Sequence, residues 1–468
     1  MLFTELRFLV FFLLVFAVHW ALRSHTARKL WLLGASYAFY AGWDWRFLSL
    51  ILASTVIDYF IGRRLKSTEG VGARRGLLWM SLGANLGILA FFKYFNFFVA
   101  SGVGFLGFLG IDVSASTLEI VLPVGISFYT FQTLSYTIDV HRRNLEPIDR
   151  PLDFALFVAF FPQLVAGPIV RATQFLPQLV ERRRFADVDV RACLTLFLLG
   201  YIKKACVADH FGMVVDQVFA DPAAYAAGAK WLALSLYTVQ IYCDFSGYSD
   251  MAIASAGLLG YRLAKNFDFP YLATCVTDFW RRWHISLSSW FRDYLYIPLG
   301  GNRGTATRTG LNLVTVFLLC GLWHGASWNF VVWGLFHGAF LVGERAVRRR
   351  GGGGDPGVVA AGLGVVYTVA VAMTAWVFFR AADLGTAWTY LNGLVGRGAA
   401  PSEVLDGTWW WIILAGFGAV HLVMGKTRLQ ARLERIPGPL FAILYGAAFA
   451  IVLPFAAAQY SPFIYFQF

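Results

Sequence analysis

The chain has 468 residues, of which 58% are hydrophobic, 17% aromatic and only 14% charged, and its formal net charge is +12. Soluble domains hold about 25% charged residues, so a cytosolic enzyme, a disordered chain and a collagen-like fibre are excluded, and the mean hydropathy of +0.61 points to a membrane. Lys and Arg cluster between apolar runs, where they mark membrane-proximal loops rather than a nucleic-acid surface.

The predicted segments run Phe8–Leu22, Leu30–Trp43, Phe47–Gly62, Leu77–Phe92, Leu118–Val140, Phe154–Ile169, Ala192–Ala208 and Trp231–Gly247. Leu311–Leu322, Ser327–Val342, Val358–Phe379, Trp409–Met424 and Leu440–Ala457 follow. A perpendicular span needs about 20 residues, so the shorter runs are extended by their flanks or are re-entrant. The expected fold class is an all-α polytopic membrane protein, one integral-membrane domain over residues 1–468 with about 10–12 spanning helices. Glu5 and Arg7 precede the first run and no small-residue cleavage site follows it, which predicts a retained helix rather than a signal peptide.

Loop charge sets the orientation. Arg23, Arg28 and Lys29 follow the first segment, Arg63, Arg64, Lys66, Arg74 and Arg75 the third, and Arg142, Arg143 and Arg150 the fifth. Arg345 and Arg348–Arg350 follow the 327–342 run, and Lys426, Arg428, Arg432 and Arg435 the 409–424 run. The positive-inside rule then places both termini outside the cytosol. Parity requires Phe154–Ile169 to be re-entrant and 311–342 to enter and leave on the cytosolic side. A reporter at residue 350 should read cytosolic, and one near residue 400 external. The Gly351–Gly354 run reads as a flexible connector. Cys193, Cys206, Cys243, Cys275 and Cys320 form no CxxC pair and no metal-like spacing, so they read as packing residues. No metal site is expected.

Polar groups inside apolar segments carry the functional signal, because a charge at a helix centre costs on the order of 2.5–3.5 kcal/mol. In Leu122–Asp139, Tyr129, Gln132, Tyr136 and Asp139 form one helical stripe that either ties helices together or lines a substrate cavity. Pro123 and Gly125 loosen its start. The stretch 277–297 reads as an interfacial helix, with Asp278, Arg281, Arg282, Ser289, Arg292 and Asp293 on its polar face. Phe279, Trp280, Trp283, Leu287, Trp290, Phe291 and Tyr294 fill the other face, and His284 falls at the border. That histidine is either a packing residue or a neutral imidazole available for chemistry. In Gly321–Gly338, His324 sits within an apolar segment, a functional-site candidate by default. Gly334, Gly338 and Ser327 offer a small-residue face, and a continuous helix would turn His337 away from His324. Lys203 and Lys204 are expected to snorkel, and Asp244 and Asp250 to sit in a turn at a membrane edge.

Eight blocks in order then identify a family. They are Leu122-Pro-Val-Gly-Ile-Ser-Phe-Tyr129, Phe161-Pro-Gln-Leu-Val-Ala-Gly-Pro168, Tyr242-Cys-Asp-Phe-Ser-Gly-Tyr-Ser-Asp-Met251 and Asp278-Phe-Trp-Arg-Arg-Trp-His-Ile-Ser-Leu287. Asp293-Tyr-Leu-Tyr-Ile-Pro-Leu-Gly-Gly-Asn-Arg303, Gly321-Leu-Trp-His-Gly325, Trp376-Val-Phe-Phe-Arg380 and Ser461-Pro-Phe-Ile-Tyr-Phe-Gln-Phe468 complete them. Together they resemble the membrane-bound O-acyltransferase superfamily, within it the bacterial alginate O-acetyltransferase branch.

That resemblance implies a ring of transmembrane helices with re-entrant helices around a central tunnel, in the bacterial inner membrane, where the termini that loop charge places outside the cytosol would be periplasmic. It implies acetyl transfer from acetyl-CoA, with no permanently bound cofactor, towards an exported polysaccharide. A periplasmic SGNH-type acetyltransferase and a polysaccharide synthase complex are the implied partners. The family's essential membrane histidine maps onto His324 and its second histidine onto His284.

On this reading His324 is the general base, while His284 positions the donor or polarises its carbonyl. Asp278, Trp280, Arg281, Arg282, Trp323, Tyr129, Gln132, Tyr136 and Asn329 are the candidate substrate-binding residues. Arg281, Arg282, Lys203 and Lys204 are candidates for attracting the phosphates of CoA. Three alternatives stand beside it: D-alanyl transfer to teichoic acid from a carrier-protein thioester, a polysaccharide transporter, and a non-catalytic scaffold.

Overall fold

The computed structural model describes residues 1–114, 118–164, 167–350, 357–396, 407–426 and 436–456. The Gly351–Gly354 connector, the cations Arg428, Arg432 and Arg435, the reporter position near 400 and the Ser461–Phe468 block lie outside them. All regular elements among the described residues are helical. The chain divides into two compact units: residues 1–193 with 252–264, and residues 194–251 with 265–468.

The first unit begins with α1 (Leu6–Ala21), α2 (His25–Asp44), α3 (Leu48–Lys66), α4 (Val71–Leu89) and α5 (Phe95–Phe108). Ser24 caps α2 by accepting the Ala27 N–H, which satisfies one of the amides a helix start leaves open. Asp44 has an extended backbone (φ −156°, ψ 112°) and accepts the Arg46 N–H at 3.0 Å, which separates α2 from α3. Gly125 takes a left-handed conformation (φ 74°) before α6 (Ile126–His141), a geometry that glycine adopts without a Cβ penalty. Two short buried helices follow, α7 (Pro151–Ala159) and α8 (Phe161–Leu164), and then α9 (Ala172–Val180).

Two polar fastenings hold this unit. Asp58 on α3 is completely buried and accepts from Ser81, from Asn85 at 2.8 Å and from Thr137 at 3.2 Å, which ties α3, α4 and α6 together. Lys29, counted among the loop cations above, is instead 1% exposed and pairs with buried Asp153 at 2.5 Å.

The second unit takes in most of α10 (Val190–Tyr201) and continues with α11 (Asp209–Ala220) and the 32-residue α12 (Ala227–Leu258), within which the division falls. It goes on with α13 (Val276–Arg282), α14 (Ile285–Phe291), α15 (Ala306–His324), α16 (Trp328–Arg350) and α17 (Val358–Arg380). α18 (Leu384–Leu394), α19 (Thr408–Lys426) and α20 (Gly438–Val452) complete it. Among the described residues seven helical stretches are long and apolar enough to cross a membrane, including Ala306–His324, Trp328–Arg348 and Val358–Arg380. The protein is an all-α multi-pass membrane protein.

α15 and α16 form the tightest hairpin in this unit. A Cβ on Gly321 would collide with the Phe330 carbonyl oxygen, and one on Gly334 with the Phe317 carbonyl oxygen, so only glycine allows the two backbones to touch. Gly338, against Val314 at 3.1 Å, extends the same seam.

Candidate active site

His324 is the last residue of α15, and the chain turns through Gly325 before α16 starts at Trp328. Its side chain is buried at 4% exposure. Aromatic rings wall it in: Trp333 at 4.9 Å between centroids, Trp323 at 5.0 Å and Phe379 of α17 at 5.2 Å. Because the helix is interrupted here, His337 is not turned away as a continuous helix would require. It is buried on the same indole, 4.8 Å from Trp333, and its Nδ1 accepts the Trp280 Nε1–H at 3.4 Å.

The interfacial helix expected over 277–297 is not continuous either. His284 itself breaks it, with a left-handed backbone (φ 44°, ψ 55°) between α13 and α14, and a π-helical turn over Arg292–Tyr296 follows. A positive φ is uncommon for a residue with a Cβ, and the sequence gives no sign of it. The kink carries the histidine off the helix border into complete burial. Its ring packs edge-on against Phe245 of α12 at 4.6 Å and against Trp323 at 5.9 Å. His284 and His324 therefore share one indole.

Asn266, which sequence reasoning missed, fixes the chemistry of His284. Its Oδ1 accepts the Ser286 N–H at 3.2 Å and the Ser286 hydroxyl at 2.9 Å, and its Nδ2 donates to Ser249 at 3.1 Å. The atom facing His284 Nδ1 at 3.2 Å is thus the amide oxygen, so Nδ1 carries the proton and Nε2 the lone pair. His284 lies outside the candidate spans, and burial pushes its pKa down to about 3. It is a neutral imidazole that can accept a hydrogen bond at Nε2.

A sequence profile described as the membrane-bound O-acyltransferase family matches residues 149–380, which include both histidines. The probable alginate O-acetylase AlgI of Azotobacter vinelandii is 44% identical over 392 residues, 83% of this chain and 77% of that protein. The protein of the same name from Pseudomonas putida is 37% identical over 499 residues, covering 100% of each. The peptidoglycan O-acetyltransferase of Helicobacter pylori is 38% identical over 400 residues, 79% of this chain and 74% of that protein. The chain belongs to the membrane-bound O-acyltransferase family.

As an O-acyltransferase of this family, the protein places its remaining candidates in distinct settings. Trp323 and Trp280 line the histidine cluster, the latter through its bond to His337. Asn329 is buried and donates to the Ala381 carbonyl at 2.7 Å, which fixes the start of α16 to the end of α17. Asp278 pairs with Arg282 at 2.8 Å, so this cation is already compensated, while Arg281 is exposed. Lys204 does not snorkel: at 1% exposure it pairs with Asp209 and Asp244, each at 2.6 Å. Lys203 pairs with Asp250 at 2.6 Å, and Asp244 and Asp250 lie inside α12 rather than in a turn.

Tyr129, Gln132 and Tyr136 belong to α6 in the first unit, all of them buried. The Tyr136 hydroxyl accepts the Ile148 N–H at 3.2 Å, a structural tie. The Tyr129 hydroxyl and both polar atoms of the Gln132 amide are buried without a hydrogen-bond partner among the described residues.

Proposed function

We propose that this O-acyltransferase moves an acetyl group from acetyl-CoA, held as a thioester on the cytosolic side, to a hydroxyl bound for an exported polysaccharide such as alginate. The observation that carries the reading is the placing of two buried histidines against the single indole of Trp323. The relatives, an alginate O-acetylase and a peptidoglycan O-acetyltransferase, supply the acyl group and the acceptor class.

In this mechanism His324 takes the proton of the attacking hydroxyl. The hydroxyl oxygen then bonds to the thioester carbonyl carbon, the carbon–sulfur bond breaks, and the departing thiolate recovers the proton from the imidazolium. A general base contributes about 10²–10⁴-fold. His324 sits at the negative end of the α15 dipole, which favours the transient cation. His284 acts through its Nε2 lone pair. That tautomer cannot donate to a carbonyl oxygen, so its role is to hold the acceptor hydroxyl, and donor polarisation falls to other groups. The acetyl group would be handed on outside to the exported polysaccharide, through an SGNH-type periplasmic acetyltransferase beside a synthase complex, from an enzyme in the inner membrane with both termini periplasmic.

The test is purified protein in nanodiscs with radiolabelled acetyl-CoA and a polysaccharide or partner acceptor. Wild type should transfer label, and His324→Ala should lose transfer while remaining monodisperse. Label transfer by His324→Ala at the wild-type rate would remove the assignment. Transfer from a D-alanyl carrier protein in place of acetyl-CoA would move the enzyme to teichoic acid chemistry.

A further inference from the structure

Beside the histidine cluster, and lined by neither His284 nor His324, lies a cavity of about 340 Å³ within the second unit. Ligand pockets commonly occupy about 300–1,000 Å³. One wall is a stripe of α15: Leu313, Val316, Phe317 and Cys320, at the i, i+3, i+4, i+7 spacing of a single helix face. Leu341 of α16 and Ile285 of α14 continue it. Both α15 and α16 are long and apolar enough to cross the membrane, so this wall belongs to the bilayer-embedded part of the protein.

The remaining lining carries two guanidinium groups, those of Arg281 and Arg292. Arg281 is exposed and has no ion-pair or hydrogen-bond partner among the described residues, which leaves its whole guanidinium available. Arg292 spends Nε and Nη2 on Asp293, at 2.7 and 3.1 Å, and keeps Nη1. The lining serine and threonine hydroxyls are committed: Ser288 donates to the Trp283 carbonyl, Ser289 to the Ser286 carbonyl and Thr277 to Glu344, while Tyr296 adds a phenol. Asp293 neutralises Arg292, so the net charge of the rim is the single positive charge of Arg281. The cavity thus pairs a hydrocarbon wall with one uncompensated guanidinium, a group whose planar fork matches phosphate.

We propose that this cavity binds an anionic phospholipid, with its phosphodiester on Arg281 and Arg292 and an acyl chain along the Leu313–Cys320 stripe. An acyl-CoA donor shares the phosphate, but its amide-rich pantetheine finds an apolar wall here, and a two-carbon acetyl group does not fill it. The site lies beyond the acetyl-transfer reading and does not depend on it.

The experiment is native mass spectrometry of the full-length protein released from detergent, with phosphatidylglycerol and phosphatidylcholine of identical chains as probes. The expected result is at least about tenfold stronger retention of phosphatidylglycerol, lost in Arg281→Gln as one charge-assisted bidentate contact goes. Leu313→Trp, which fills the wall without touching charge, should reduce retention of both lipids. Equal retention of the two lipids, or unchanged retention in both variants, overturns the proposal. Displacement of phosphatidylglycerol by coenzyme A also overturns it, because the cavity would then be a donor site.

Discussion

The α3–α4–α6 region of the first unit and the α15–α16 tip of the second both bury polar side chains inside apolar helices, but they surround them differently. Around Asp58 stand a serine, an asparagine and a threonine, all donating to it. Around His324 stand the rings of Trp323, Trp333 and Phe379. A carboxylate encircled by donors is a fastening between helices, whose worth lies in staying as it is. An imidazole set among ring faces keeps the capacity to exchange a proton. Depth in the membrane therefore does not separate the structural carboxylate from the imidazole proposed as the base. What encloses them does.

The sharpest way to break this comparison is to exchange the consequences. His324→Ala should lower acetyl transfer by about 10²–10⁴-fold with little change in thermal midpoint, measured by label transfer and by unfolding in the same detergent. Asp58→Ala should do the reverse. It strands three buried donors at about 1–3 kcal/mol each, so the midpoint falls steeply while turnover per folded molecule stays near wild type. If Asp58→Ala were inactive yet fully stable, the distinction would fail.

Gly334→Val tests the hairpin that carries His324. Overpacking of this kind costs about 1–3 kcal/mol, and here stability and transfer should fall together. Asn266→Leu should cost about tenfold in kcat, the size expected when a group that orients a functional histidine is lost. Its specific sign is a mixed Nδ1/Nε2 tautomer signal for His284 in ¹⁵N-histidine spectra, where Asn266→Asp keeps the wild-type form.

The smallest effect is one of pH. His284 is held neutral in the fold, with its pKa near 3, whereas in the unfolded chain it protonates at 6.5. Its contribution to stability is therefore complete above pH 6.5. As pH falls below that value the unfolded state binds the proton first, and stability declines by about 1.4 kcal/mol per unit. His284→Asn should remove this one-proton component from the melting profile between pH 6.5 and 4.

Much of this was legible in the residues. Period and composition set the helices, the small-residue seam at Gly334 and Gly338 was visible from spacing, and Asp278–Arg282 pair as an i,i+4 couple should. His324 stood out as a polar residue at apolar depth. What escaped depended on backbone geometry or on partners distant in sequence. A helical wheel drawn through 277–297 presumes helical φ and ψ throughout, and His284 violates that at its centre. Asn266 comes near His284 only through the kink. Lys204 looked like a snorkelling residue because Asp244 lies 40 positions away, on another helix, and because Asp209, five positions on, stands beyond the π-helical turn of Ile202–Ala208 that a regular wheel does not show. Asp58 could have been found: an acidic residue inside an apolar run is itself a signal, and its partners Ser81 and Asn85 sit four apart on one face of α4.

The glycine seam between α15 and α16 has a mechanical consequence. With backbone resting on backbone at Gly321 and Gly334, neither rod can slide or roll past the other without a collision. The His324 ring, proposed above as the base, is thus mounted on a rigid bipod, and any opening or closing during turnover would fall to neighbouring parts such as the Trp376–Arg380 stretch or the bent 276–296 strap, while His324 stays still.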